Sequence, residues 1–259
     1  MKPDEQQRHR EEIIDQFSRQ AIPFTQIPGH GDAIRLLMEL SDVTGADEVL
    51  DVACGPGLVG CEFARRAKRV TGLDVTAAMI EQARRRQAEQ GLANVEWRVG
   101  DACPLPFGDG IFSLVITRYS FHHFLEPERV LAEMIRVCRP GGRVLAADVA
   151  LPAAKAAAYD RLEHLRDPSH THALTTDEFA ALWRRSGLVD SRESAYPVHL
   201  DLEAQLQASF PRPGDTERLR ALVTADIGVD VFGINARHEA GRVVYTCPIT
   251  VLIGNKPAS

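Results

Sequence analysis

The sequence has no apolar run long enough to span a bilayer, no basic excess, no internal repeat and no low-complexity linker. The first absence excludes a membrane-spanning helix. The amino terminus, Met1 to Glu12, is rich in charge and lacks the apolar centre of a secretory signal, so a cytoplasmic protein is expected. Lys and Arg number 30 against 36 Asp and Glu, a formal net charge of -6, whereas a nucleic-acid partner asks for a basic excess or stripe. The densest basic run, Arg84-Arg85-Arg86, is set among Glu81, Gln82, Gln87 and Glu89 and reads as the solvated face of a helix. The five cysteines, Cys54, Cys61, Cys103, Cys138 and Cys247, are odd in number and contain no C-x-x-C pair. That pattern argues against a disulfide framework and a structural zinc site, and leaves them as small apolar fillers.

What is present is enough for one sizeable α/β domain, with 259 residues and 44% apolar content. The chain is organised around Val49-Leu50-Asp51-Val52-Ala53-Cys54-Gly55-Pro56-Gly57, an apolar strand running into a glycine-rich turn that opens onto a helix. Gly55-x-Gly57-x-x-Gly60 also satisfies the dinucleotide fingerprint, with Asp74 near the position of its ribose-binding acid, so an NAD-dependent oxidoreductase stays open at this point. Two features point elsewhere. Asp51 would face a dinucleotide's pyrophosphate, whereas S-adenosylmethionine (SAM) carries an ammonium and a sulfonium that a carboxylate attracts. A third acidic turn, Gly100-Asp101-Ala102, is placed to meet an adenine edge.

The pattern along the chain predicts alternating strands and helices. An amphipathic helix over residues 4–19, with Ile13, Ile14 and Phe17 on one face, leads through Ile22-Pro23-Phe24 and Ile27-Pro28-Gly29 to a helix over Asp32 to Leu40. Strands follow at 48–53, 69–73, 95–99, 112–117 and 143–148, separated by helices at 57–67, 76–90 and 126–138. Thr76 is the expected N-cap of the second of these. Such alternation implies a doubly wound, mostly parallel sheet with its ligand beyond the carboxyl ends of the strands. Thr175 to Glu178 should cap a helix reaching Ser186, and strand-like stretches near 189–200 and 243–253, flanking a helical insert at 201–226, should add an antiparallel pair. A single domain is expected, with a lid segment at 1–30, a core at 31–150 and acceptor-site elements at 151–259.

From strand one to Asp148 the sequence resembles the class I SAM-dependent methyltransferases of the type 11 domain, especially the ubiquinone/menaquinone C-methyltransferase-like subgroup. The residues that carry the likeness are Leu50 to Gly57, Leu73-Asp74, Gly100-Asp101-Ala102, Ser120-Phe121-His122-His123-Phe124 and Arg139-Pro140-Gly141-Gly142. The resemblance implies a Rossmann-like fold with SAM as cofactor and an amino-terminal helical lid. It places methionine over the 51–57 turn, ribose on Asp74 and adenine against Met79, Asp101 and Ala102. The candidate cofactor contacts are thus Asp51, Ala53, Gly55, Gly57, Asp74, Val75, Met79, Asp101, Ala102 and Thr117. Ala53 stands where many relatives have glycine.

Methyl transfer from a sulfonium depends on alignment and exclusion of water more than on a protein nucleophile. An acceptor proton still has to leave, and His122 or His123 is the candidate base. The bland alternative is that the pair only forms a strand-to-helix corner. Arg118 and Tyr119 are candidate acceptor contacts, joined from the carboxyl-terminal half by His170 and His172. No metal is expected, since those two histidines have no evident third ligand. The expected partner is a small-molecule acceptor rather than nucleic acid. The alternatives are an RNA or protein methyltransferase of the same fold, an NAD-dependent oxidoreductase and a non-catalytic SAM-binding module.

Overall fold

The inner strands are covered on both faces, which is why they read as unbroken apolar runs rather than as alternating ones. The computed structural model describes residues 3–23 and 33–258. The chain opens with α1 (Pro3–Gln20), α2 (Ile34–Leu40), β1 (Glu48–Val52), α3 (Leu58–Ala64), β2 (Arg69–Asp74), α4 (Ala77–Glu89) and β3 (Val95–Val99). It continues with β4 (Phe112–Arg118), a single 3-10 turn at Phe121–His123, α5 (Pro127–Val137), β5 (Cys138–Val149), α6 (Ala153–Arg166) and α7 (Thr176–Arg185). The last part holds β6 (Val189–Asp201), α8 (Leu202–Ala208), α9 (Asp215–Ala225), β7 (Arg237–Glu239) and β8 (Arg242–Asn255). Most of the expected loop around Phe24 and Ile27 to Gly29, and the start of the helix expected at Asp32, lie outside the described residues.

The strands form one eight-stranded sheet in the order β3-β2-β1-β4-β5-β8-β6, with β7 paired to β8. The first five are mutually parallel, while β8 runs antiparallel to β5 and to β6. Side-chain alternation then divides the core. Leu50, Val52, Val115 and Val144 pack with Leu131, Met134, Phe179 and Trp183 from α5 and α7. Val49, Leu114, Ile116 and Leu145 pack with residues of α2, α3, α6, α8 and α9 on the other face. Each strand residue therefore joins the opposite core from its neighbour.

Local chemistry explains the starts of α5 and α7. Pro127 opens α5, whose Val130, Leu131, Met134 and Val137 make the buried stripe. Thr175 and Glu178 form a reciprocal capping box at α7. The expected Thr176-to-Ser186 helix is thus present, and so is the antiparallel carboxyl-terminal pair. Three local expectations change. Thr76 makes no side-chain cap at α4; Asp74 Oδ1 accepts the Thr76 N–H instead, at 2.8 Å. β5 begins at Cys138, because the Arg139–Gly142 turn is drawn into the strand beside β4. α6 adds a helix that the apolar pattern does not predict, because its alanine-rich start has high helix propensity but only a narrow large-residue stripe, Tyr159 and Leu162.

Strand order reverses about β1 and β4, so the crevice at their carboxyl ends is the natural ligand site. Helix α1 lies against that crevice. Its Gln6 donates to Glu126 at 3.1 Å, its His9 Nε2 meets the carbonyl of His123 at 2.8 Å, and the Phe17 ring packs edge-on against His123 with centroids 5.0 Å apart.

Candidate active site

The turn after β1 is shaped by three residues in the left-handed region: Ala53 at φ 54°, Gly55 at 52° and Gly57 at 75°. Only the two glycines adopt that conformation without steric cost. A Cβ on Gly55 would meet nothing within 4 Å, so this backbone is open to a ligand. Gly57 and Gly60 answer to a different demand. A Cβ on either would come within 3.0 Å of the Trp97 ring, at 2.8 and 2.9 Å, and Gly72 lies under the same ring. Two of the three glycines shared with dinucleotide-binding folds, Gly57 and Gly60, are accounted for here by the seating of one tryptophan.

Asp51 is 1% exposed, and its Oδ2 has no hydrogen-bond partner among the described residues. Burial pushes its pKa up to about 7; the nearby Arg118 charge and the Gly60 N–H offset only part of that effect. A carboxylate with one unpaired oxygen at this depth fits a cationic ligand group. Asp74 is also buried, but its oxygens are engaged, Oδ2 by the Gly55 N–H at 2.9 Å and Oδ1 by Thr76. It therefore holds the glycine turn to the start of α4 while still lining the crevice. Val75, Met79, Asp101 and Ala102 line the same side. Arg10 of α1 approaches Asp101 at 3.4 Å, with both side chains nearly half exposed.

The cavity continues past the end of β4 to a second set of walls, with a volume of about 630 Å³ in all. Arg118 stacks over the Tyr119 ring at 4.5 Å. Tyr119 takes a φ of 58°, its N–H donates to Ala147 at 2.8 Å, and its hydroxyl meets that of Tyr196 on β6 at 2.9 Å. The next turn carries the two histidines, and the structure separates them. His122 Nδ1 lies 2.6 Å from Asp148 Oδ1 at the end of β5, and Asp148 also accepts the backbone N–H groups of Phe121 and Val149 at 2.6 and 2.7 Å. Burial opposes a charge on His122, but the Asp148 carboxylate outweighs it and leaves the imidazole pKa raised. His123 Nδ1 instead contacts the Ser169 carbonyl at 3.0 Å, and burial together with the neighbouring His122 charge lowers its pKa to about 3. His122 is thus the more basic of the two, and both rings line the cavity.

Four expected contacts do not line the cavity: Gly57, Thr117, His170 and His172. Gly57 is occupied with Trp97 and Ala83. Thr117 Oγ1 donates to the Val52 carbonyl at 2.7 Å and pairs with Ser120 at 2.6 Å, bracing β1 against β4 from within. His170 and His172 close on the two oxygens of Asp160, at 2.8 and 2.7 Å, and His172 reaches Glu178 at 3.0 Å. That clasp ties the loop before α7 to α6. Among the described residues no group of His, Cys, Asp and Glu is arranged to hold a metal, and no helix is long and apolar enough to cross a membrane.

Several wall residues carried no local signal. Tyr159, Glu163 and Arg166 come from α6, Gln205 from α8, and Val198, Leu200, Tyr245, Cys247 and Ile249 from the antiparallel strands. Only the folding of the last hundred residues against β4 and β5 brings them to the crevice. The Asp148 position was legible as a strand end, but its partner on the 3-10 turn was not.

Comparison with known proteins places this architecture. Residues 49–142 match the family model of a methyltransferase domain. Over 250 residues the chain is 29% identical to the uncharacterized methyltransferase YcgJ of Bacillus subtilis, covering 92% of this chain and 96% of that protein. The crystal structure of the B. subtilis YcgJ protein superposes with a TM-score of 0.80 over 89% of this chain and 100% of that one, at 21% identity, a likeness of fold. A ubiquinone/menaquinone biosynthesis C-methyltransferase of Desulfotalea psychrophila, UbiE, is 40% identical over 111 residues, which are 42% of this chain and 44% of that relative, so the chain matches less than half of its length. The open Gly55 backbone and the buried Asp51 carboxylate, with its unpaired Oδ2, suit a cationic donor, and Asp74, Met79, Asp101 and Ala102 line the same cavity. The chain carries a methyltransferase domain at residues 49–142, has the fold of the class I methyltransferases and uses S-adenosyl-L-methionine as its methyl donor.

Proposed function

We propose that the protein transfers the SAM methyl group to a hydroxyl of a small-molecule acceptor, with His122 as the base that removes the acceptor proton and Asp148 holding that imidazole in place. SAM supplies a methyl carbon already activated by its sulfonium. The observation that carries the reading is that the His122–Asp148 pair opens onto the same cavity as Asp51. With Nδ1 bound to a carboxylate, the imidazole is held in the tautomer whose Nε2 is free to take a proton. The two short backbone contacts to Asp148 keep that carboxylate from following the histidine. α1 contributes Ile13 and Phe17 to the wall, which supports a water-poor site sized for a small molecule rather than a polymer.

The test uses methyl-labelled SAM with a panel of phenols, alcohols and amines, and tracks label by mass. His122→Gln should lower kcat by about 10²–10⁴ while leaving binding of S-adenosylhomocysteine (SAH) unchanged. In the native enzyme the rate should rise with pH through a value above 6.5, because the base acts in its neutral form and its pKa is raised. Label appearing only in polypeptide or RNA would overturn the acceptor class, and an undiminished His122→Gln enzyme would overturn the base.

A further inference from the structure

We propose that the buried Glu163–Arg166 pair selects the acceptor, by reading an uncharged head group that both donates and accepts hydrogen bonds, such as a carboxamide or two neighbouring hydroxyls. The inference rests on the small-molecule reading above and adds the chemistry at the far end of the same cavity.

Both side chains sit on the last turn of α6 and line the cavity, at 9% and 14% exposure. Arg166 Nε contacts both Glu163 oxygens at 3.1 and 2.9 Å, Nη2 donates to Oε2 at 2.6 Å, and Nη1 makes a long contact to Ser209 at 3.4 Å. A guanidinium has five N–H donors, so two remain without a partner among the described residues. Beside the pair stands Gln205, nine-tenths buried and lining the same cavity, with an Oε1 that has no hydrogen-bond partner. The Tyr245 ring closes the wall. Donors and an acceptor are thus both left unused at one place.

Packing gives no reason for this pair. Two apolar side chains of similar volume would fill the site at equal or greater stability, because desolvating two charges costs as much as their attraction returns. The buried Arg143–Asp47 pair does have such a reason, since its arginine also binds the carbonyls of Ser41 and Asp42 and pins the chain entering β1. Charge balance narrows the ligand further. An anion approaching Arg166 meets Glu163 at once and Asp167 one residue on, while a cation approaching Glu163 meets Arg166. Arg118, on the same cavity, stands at the β4 end and stacks on Tyr119. A neutral group with adjacent donor and acceptor satisfies both members and Gln205 without leaving a charge uncompensated.

The experiment uses SAH-loaded full-length protein and three probes of one shape, benzamide, benzoate and benzylammonium, titrated by saturation-transfer NMR. The native protein should bind benzamide about tenfold more tightly than either charged probe. Glu163→Gln, which leaves the Arg166 charge unbalanced, should shift the preference to benzoate. The double change Glu163→Leu with Arg166→Met should keep or raise the melting temperature and abolish the benzamide preference, which keeps the idea testable if the single variant fails to fold. Equal or absent binding of the three probes to the native protein, preference for a charged probe, or a benzamide preference that survives the double change would overturn the proposal. None of these readouts needs turnover, so failure of the methyl-transfer chemistry shows separately in the labelled-SAM assay.

Discussion

Donor binding should weaken steeply on acidification, and Asp51 supplies the reason. Its pKa in the free protein is near 7 because burial penalises the carboxylate. A ligand ammonium or sulfonium beside it restores the charged form, so binding below pH 7 must expel a proton. With a free-state pKa of about 7 and a bound-state value back in the ordinary carboxylate range, affinity falls by about tenfold between pH 8 and pH 6. That is about 1.4 kcal/mol, and the slope approaches tenfold for each further unit. Calorimetry of SAH binding in two buffers of different ionisation heat reads both quantities, with close to one proton released at pH 6 and almost none at pH 8. Asp51→Asn should bind weakly at every pH without the coupled proton. Asp74 is buried with a raised pKa too, and it remains in that variant, so the comparison isolates Asp51. The same shift has a stability sign. A carboxyl whose folded pKa is raised stabilises the fold fully below its unfolded value near 4, and that contribution is lost as pH climbs through 7. Ligand-free Asp51→Asn should therefore be more stable than the native protein at pH 8, by roughly 2–4 kcal/mol. Affinity independent of pH, or equal proton release from Asp51→Asn, would refute the reasoning.

Two further outcomes concern the glycine turn. Gly72→Ala should destabilise by about 1–3 kcal/mol in chemical denaturation, because its Cβ has no room beside the Trp97 ring and lies 3.0 Å from Cys54 Sγ; Trp97→Leu in the same chain should recover part of that loss. Ala53→Gly releases a left-handed alanine but loosens the unfolded chain, so calorimetry should show a gain of at most about 1 kcal/mol; a clear loss would show that the Ala53 methyl is itself needed for packing.

The amino-acid sequence alone determined the parallel half of the fold and the strand-end edge on which the cavity opens. β1, β2 and β4 are largely apolar runs carrying Asp51, Asp74 and Arg118 at or one residue before their carboxyl ends, and a strand end, a turn glycine and a following helix are local signals within about ten residues. The doubly wound order then puts those ends on one edge without further information. The tertiary structure alone decided which of two adjacent histidines pairs with a carboxylate, because that depends on Asp148 reaching His122 and the Ser169 carbonyl reaching His123 from distant parts of the chain. It also decided that Gly60 serves Trp97 and that His170 and His172 serve Asp160, since a spacing states which residues are near in the chain and not what fills the space beside them. The acceptor walls belong wholly to this second kind. Glu163, Arg166, Gln205 and Tyr245 lie on three elements more than 80 residues apart end to end, and only the antiparallel return of β8 beside β5 closes them over one cavity.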